Sequence, residues 1–177
     1  MSSLCVFPGS FDPVTVGHMD LIGRAAGMFD SVTVAVMVNI AKKGMIPYEE
    51  RVRILRKACA KFPNVQIELW KGLLADYLRE HPSTVVIRCV RNAAEAELEI
   101  RTAAINRRLY PQAETLLIPA SAELADISSS AVREIAGFGG DITGLVPKNL
   151  HSTNKIYSSI ERKLLFPPDF SLAFYSR

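Results

Sequence analysis

The sequence predicts an α/β fold: a doubly wound, five-stranded parallel sheet of Rossmann-like layout. Three observations predict it. Five short apolar runs alternate with amphipathic runs along most of the chain. The second, Ser31–Val38, is almost continuously apolar and β-branched, as a parallel strand buried on both faces is. A turn rich in glycine and proline, Pro8-Gly9-Ser10-Phe11-Asp12-Pro13, lies between the first strand and the first helix, where open α/β sheets bind ligands.

The elements follow in order. Leu4–Phe7 is the first strand. Gly17–Met28 is the first helix, with Leu21, Ile22, Ala25 and Met28 on one apolar stripe. After the second strand comes a loop, Asn39–Pro47, and then a helix from Tyr48 to Lys61. Val52, Leu55, Cys59 and Phe62 form its stripe, and Pro63-Asn64 ends it. Val65–Trp70 is the third strand, Leu73–Glu80 a short helix and Thr84–Arg88 the fourth strand. A long helix covers Ala93–Leu109 and stops before Tyr110-Pro111. Glu114–Pro119 is the fifth strand. Ser130–Ala136 is a helix ended by Gly137, Gly139 and Gly140. A last helix is expected over Lys148–Leu164. The organisation is one domain, 1–165, with a C-terminal extension, 166–177, which Pro167-Pro168 keeps from continuing the helix.

Composition narrows the classes. A chain of 177 residues, 49% of them apolar, supports a sizeable core. No apolar run approaches the roughly 20 residues that span a bilayer, and no basic segment precedes an apolar one at the N-terminus, so neither a membrane span nor a signal peptide is expected. Cys5, Cys59 and Cys89 have no zinc-ligand spacing and are odd in number, which suits a reducing cytoplasm. A net charge of +3 suits small anionic ligands better than nucleic acid.

Four clusters carry candidate chemistry. Thr15-Val16-Gly17-His18 opens the first helix, where free N–H groups and the helix dipole favour an anion. Gly17 lets a phosphate approach, and His18 and Ser10 can donate to it. Lys42-Lys43 is either a solvated pair or part of a site at the same sheet edge. Arg88 and Arg91, at the end of the fourth strand, either pair with acids or read phosphate. Ile127-Ser128-Ser129-Ser130 makes a helix cap or a phosphate cradle. Glu99, taken by itself, is a solvated helical acid.

Together these stretches resemble the nucleotidyltransferase superfamily, whose signatures are a Thr-x-Gly-His after the first strand and an Ile-Ser-Ser-Ser before a late helix. The fuller pattern Pro-Gly-Ser-Phe-Asp-Pro followed by Thr-x-Gly-His is similar to that of bacterial-type phosphopantetheine adenylyltransferases. The resemblance runs over about residues 3–160. It implies transfer of AMP from ATP to 4′-phosphopantetheine, giving dephospho-coenzyme A and pyrophosphate. His18, Lys42, Arg91 and Ser129 would be catalytic. ATP would meet Ser10, Phe11, His18, Cys89, Val90, Arg91 and Glu99, together with Leu124, Ala125, Asp126, Ile127, Ser128, Ser129 and Ser130. Phosphopantetheine would meet Ser10, Lys42, Leu74 and Arg88. Arg133 would be structural or lie beside the phosphates, and Asp12 would fix the turn. Magnesium would accompany ATP, with no protein-held metal site, and the assembly would be a homohexamer in the cytoplasm, without nucleic-acid or membrane partners. Two departures stand out: Cys89 where the family has glycine, and Val16 where it has asparagine. They leave two rivals, a related transferase with another phosphate acceptor and a non-catalytic nucleotide-binding relative.

Overall fold

A computed structural model describes residues 3–38 and 44–148. Its elements are β1 (Leu4–Gly9), α1 (Val16–Met28), β2 (Ser31–Met37), α2 (Tyr48–Cys59), β3 (Val65–Trp70), α3 (Leu74–Glu80), β4 (Thr84–Val90), α4 (Ala93–Leu109), β5 (Thr115–Pro119) and α5 (Ser129–Gly137), with a 3-10 turn at Ala122–Leu124. The five strands form one parallel sheet in the order β3-β2-β1-β4-β5. The expected α/β sheet is therefore observed. The expected helix over Lys148–Leu164, save its first residue, the loop lysines Lys42 and Lys43, and the extension from 166 lie outside the described residues.

The strand order reverses between β1 and β4, and there the ladder is short. β1 pairs with β2 from Leu4 to Gly9, but with β4 only from Leu4 to Val6. Beyond Val6 and Val86 the two central strands part, and a crevice opens at their C-terminal ends, the usual ligand position in such sheets. β4 itself runs two residues beyond the expected Thr84–Arg88, because Cys89 and Val90 stay paired to Ile118 and Pro119 on β5.

The core holds the crevice walls in place. Leu21, Ile22 and Ala25 of α1 are fully buried against Phe7, Val32 and Val34, and Val52, Leu55 and Cys59 of α2 join the same cluster. Met28, expected on the α1 stripe, is instead 55% exposed, because it sits in the helix's final residue beyond the edge of the core. The turn after β1 is fastened from within. Phe11 adopts a left-handed backbone, φ 47°, with its ring buried edge-on to Phe7 at 5.3 Å. That conformation costs a non-glycine residue about 1–3 kcal/mol, which burying an aromatic ring offsets.

Candidate active site

The crevice is a cleft of about 1510 Å³ lined mainly from four stretches of chain: the β1–α1 turn, the segment leading into α2, the β4–α4 junction and the start of α5. His18, Arg88, Arg91, Ser129 and Ser130 all face it. A smaller cavity of about 250 Å³ adjoins it, lined by Met37, Leu74, Val86 and Asn106 among others. Pro8, Gly9, Ser10, Arg88 and Glu99 border both. Ser10 and Arg88 thus stand where two chambers meet.

His18 is set by the cap of α1. Thr15 is the N-cap; its backbone N–H donates to His18 Nδ1 at 3.0 Å, and its Oγ1 accepts from the His18 N–H at 3.4 Å. An Nδ1 that accepts from a backbone N–H carries no proton, so the neutral ring holds its proton on Nε2. The ring packs on Phe11 at 5.1 Å. Burial, and then the positive charges of Arg91 and Arg88, lower its pKa from 6.5 to about 4. The result is a neutral imidazole with one N–H to donate.

Arg88 and Arg91 are held alike. Arg88 Nε donates to Glu99 Oε2 at 2.7 Å, Nη2 to Glu99 Oε1 at 2.5 Å and Nη1 to the Pro8 carbonyl at 2.5 Å. Arg91 Nε donates to Glu95 Oε2 at 3.0 Å, Nη2 donates to Glu95 Oε1, and Nη1 to the Ile127 carbonyl at 3.2 Å. A guanidinium has five N–H donors. Each of these arginines therefore keeps one N–H on each terminal nitrogen for a further acceptor such as a phosphate. Hydrogen bonding to Glu95, the largest influence, raises the Arg91 pKa, and the same contact lowers that of Glu95.

The serines divide their work. Ser128 is the N-cap of α5, accepting from the Ala131 N–H at 3.0 Å. Ser129 Oγ donates to the Pro13 carbonyl at 2.8 Å, joining α5 to the opening turn. The N–H groups of Ser129 and Ser130 begin the helix and have no intrahelical acceptor, which favours an anion there. Arg133 Nη1 donates to the Asp12 carbonyl at 2.6 Å and Nη2 to Ser130 Oγ at 3.0 Å, so it ties the start of α5 to the opening turn while lining the cleft.

Asp12 is a buried anchor. Its carboxylate accepts from the Met45 and Ile46 N–H groups, each at 2.8 Å, and faces Arg51 Nη2 at 3.4 Å. Arg51, only 3% exposed, also donates to the Ile46 carbonyl at 2.7 Å and the Ser10 carbonyl at 3.0 Å. One buried ion pair thereby ties the β1–α1 turn to the segment preceding α2.

Some expected site residues sit differently. The Phe11 ring belongs to the core and only its backbone is left for a ligand. Val90, Ala125 and Asp126 do not line the cleft. In the turn after Leu124, bonds from the Ala125 N–H to the Ala122 carbonyl and from the Ile127 N–H to the Leu124 carbonyl draw the backbone into itself. Glu99, a solvated acid when taken by itself and an ATP contact by the resemblance, lines the cleft while paired to Arg88. Cys89 lines the cleft and packs against the core cluster; burial raises its thiol pKa. Glu95 and Arg51 were not legible as site residues. Asn92-x-x-Glu95 has the spacing of a helix-capping box, a signal that marks Glu95, whereas Arg51 reads as an ordinary charged position of an amphipathic helix.

Among the described residues no three His, Cys, Asp or Glu side chains cluster to hold a metal ion. Asp12, Glu95 and Glu99 are already committed to arginines. None of the described helices is long and apolar enough to cross a membrane.

Comparison with known proteins agrees with this geometry. Residues 6–135 match the cytidylyltransferase-like family model. The chain is 46% identical over 145 residues to the phosphopantetheine adenylyltransferase of Clostridium perfringens, covering 82% of this chain and 88% of that protein. It is 43% identical over 163 residues to the phosphopantetheine adenylyltransferase of Rubrobacter xylanophilus, covering 92% and 99%. Among solved structures, a nicotinate-nucleotide adenylyltransferase from Vibrio parahaemolyticus, itself described as putative, superposes with a TM-score of 0.64 at 16% identity, over 93% of this chain and 98% of that one, a likeness of fold. The match over most of the chain and the shared fold lead to one conclusion: this protein belongs to the phosphopantetheine adenylyltransferase family of cytidylyltransferase-like nucleotidyltransferases.

Proposed function

We infer that the protein transfers AMP from ATP to 4′-phosphopantetheine, forming dephospho-coenzyme A and pyrophosphate in coenzyme A biosynthesis. Family membership supports the reaction. The observation that carries the reading within this chain is the pair of chambers meeting at Ser10 and Arg88, the larger lined by phosphate-binding groups and the smaller by apolar ones. That arrangement suits a nucleoside triphosphate in one and a phosphorylated apolar arm in the other.

In this reading a phosphate oxygen of phosphopantetheine attacks the α-phosphorus of ATP. A new P–O bond forms, the bond to the β-phosphate oxygen breaks, and pyrophosphate leaves with the electron pair. The attacking phosphate is already an anion, so catalysis consists of positioning and charge stabilisation. His18 Nε2–H donates to the α-phosphate as its charge builds. Arg91 and the Ser129 and Ser130 N–H groups hold the β- and γ-phosphates. Arg88 holds the attacking phosphate beside Ser10, and Leu74 lies along the pantetheine arm. Lys42 is assigned to the attacking phosphate on the family resemblance. Magnesium enters with ATP as part of the substrate, its ligands supplied mainly by phosphate and water.

We further propose a cytoplasmic homohexamer. Leu98, Ile105 and Leu109 of α4 are exposed apolar residues that subunit contacts would cover, and light scattering of the purified protein measures the assembly directly. For the activity, pyrophosphate release is measured with MgATP and a panel of acceptors. Release with phosphopantetheine alone is expected. Preference for a mononucleotide or alcohol phosphate would replace this reading with a related transferase, and ATP binding without release would mark a non-catalytic relative.

A further inference from the structure

We infer that Glu95 is a positioning residue: it fixes the Arg91 guanidinium so that its free N–H pair faces the triphosphate. The inference rests on the assignment of Arg91 to ATP made above.

Glu95 occupies the third position of α4, after the N-cap Asn92, whose side chain accepts from the Glu95 N–H at 2.9 Å. In an ordinary capping box the acid at this position reaches back to the N–H of the cap residue. Here it reaches one residue further. Glu95 Oε2 accepts from the Arg91 backbone N–H at 3.0 Å and from Arg91 Nε at 3.0 Å, while Oε1 takes Nη2. One carboxylate thus holds both the main chain and the side chain of the same arginine. The Ile127 carbonyl takes Nη1 from the other side, tying that arginine to the start of α5.

Helix capping alone does not account for this. Glu95 lines the anion-binding cleft, where its charge opposes a triphosphate. A solvent-facing acid would satisfy α4 without that cost, as Glu97 does on the same helix, pairing with Arg101 while 66% exposed. The second arginine repeats the device. Glu99, one turn after Glu95, grips Arg88 in the same two-point fashion. A rigid helix therefore presents two carboxylates, four residues apart, to two arginines three residues apart on the end of β4. Each arginine is pre-oriented, so less side-chain freedom is lost when phosphate binds.

The test uses the full-length enzyme with Glu95→Gln, Arg91→Ala, the double variant, and Glu97→Gln as a charge-removal control. Initial rates with MgATP and phosphopantetheine give kcat and KM, and thermal melting monitors folding. Glu95→Gln is expected to lower kcat/KM for ATP about tenfold with an unchanged melting temperature. The double variant should be no worse than Arg91→Ala, since Glu95 acts through Arg91. Glu97→Gln should match the parent. Additive losses in the double variant would overturn the inference. So would a lower KM for ATP with kcat unchanged, the mark of a merely repulsive charge, or a loss that follows a fall in melting temperature. A parent that transfers no AMP would instead defeat the adenylyltransferase reading. Calorimetry with ATP then decides on Glu95 independently: Glu95→Gln should weaken binding only where Arg91 is present, and weakening in its absence would overturn the inference.

Discussion

Thr15 and His18 bond to each other in both directions across the first turn of α1, the Thr15 N–H to His18 Nδ1 at 3.0 Å and the His18 N–H to Thr15 Oγ1 at 3.4 Å. The motif that opens the helix thereby also decides which ring nitrogen carries the proton. His18→Ala should reduce kcat by at least about 100-fold while KM for ATP changes little, the usual signature of a lost transition-state donor. Equal losses in kcat and in ATP affinity would show His18 to be a ground-state contact.

The same ring gives stability a pH dependence. Its pKa is about 4 in the fold, against 6.5 when free. The unfolded chain therefore takes up a proton at His18 before the folded one does. The ring's contribution is intact above pH 6.5, is lost progressively as pH falls towards 4, and changes no further below that. Melting temperatures of the parent and His18→Gln, measured from pH 7.5 to 4, should diverge in that window, the parent losing more. Parallel curves would contradict the neutral, half-buried imidazole.

Gly17 should show stability and binding moving apart. A Cβ built there would meet Thr15 Oγ1 at 3.6 Å and the Leu124 carbonyl at 3.9 Å, ordinary contacts that the protein tolerates. Alanine is the better helix former by up to about 1 kcal/mol. Gly17→Ala should thus melt no lower than the parent, yet bind ATP more weakly by calorimetry, because the added methyl projects into the cleft. Unchanged ATP affinity would mean that no ligand approaches the helix at this point.

Arg88 and Glu99 offer a separation of folding from function. Arg88→Ala leaves a carboxylate without its guanidinium, so it should destabilise the protein and raise KM for phosphopantetheine more than for ATP. Adding Glu99→Gln removes the stranded charge. The double variant should regain melting temperature but not activity; recovery of both would show that Arg88 serves only to pair Glu99.

Gly44 is required for a different reason. A Cβ at that position would lie 1.7 Å from Arg51 Nη2 and 3.2 Å from Asp12 Oδ2. Arg51 cannot swing away without breaking its bonds to Ile46 and Ser10. Gly44→Ala and Arg51→Met should each destabilise the fold, the latter by about 3 kcal/mol as for other broken buried pairs. Urea unfolding measures this, and an undisturbed midpoint in both would show the buried pair to be dispensable.

Much of this architecture was legible in the sequence, because its signals were local. Runs as rich in β-branched residues as Ser31–Val38 mark buried strands, and Ser128 before Ala131 marks a cap, whatever surrounds them. The cleft residues Ser10, His18, Arg88 and Ser129 were legible because family motifs name them. What escaped was the pairing of charges. Glu99 and Arg51 lie on charge-rich helices where an ionic side chain reads as solvent-facing, and only the neighbouring element decides otherwise. For Glu99 that element is β4, eleven residues away; for Arg51 it is the turn at Asp12. Phe11 differs in the other direction: it lies within the motif-bearing turn, yet its ring serves the core and leaves the backbone to face a ligand.

The strand order has a consequence for how the enzyme comes into being. β1 lies at the centre of the sheet, flanked by β2 and by β4, so the first strand synthesised waits for the fourth before the crevice has two walls. The third wall arrives only with Ser129 and Arg133, which reach back to Pro13 and Asp12. A nascent chain can assemble the β1–β2–β3 half early, through contacts close in sequence, but ATP-binding competence comes late in translation and all at once. Ligand added to stalled ribosomal intermediates should therefore protect nothing until α5 has emerged.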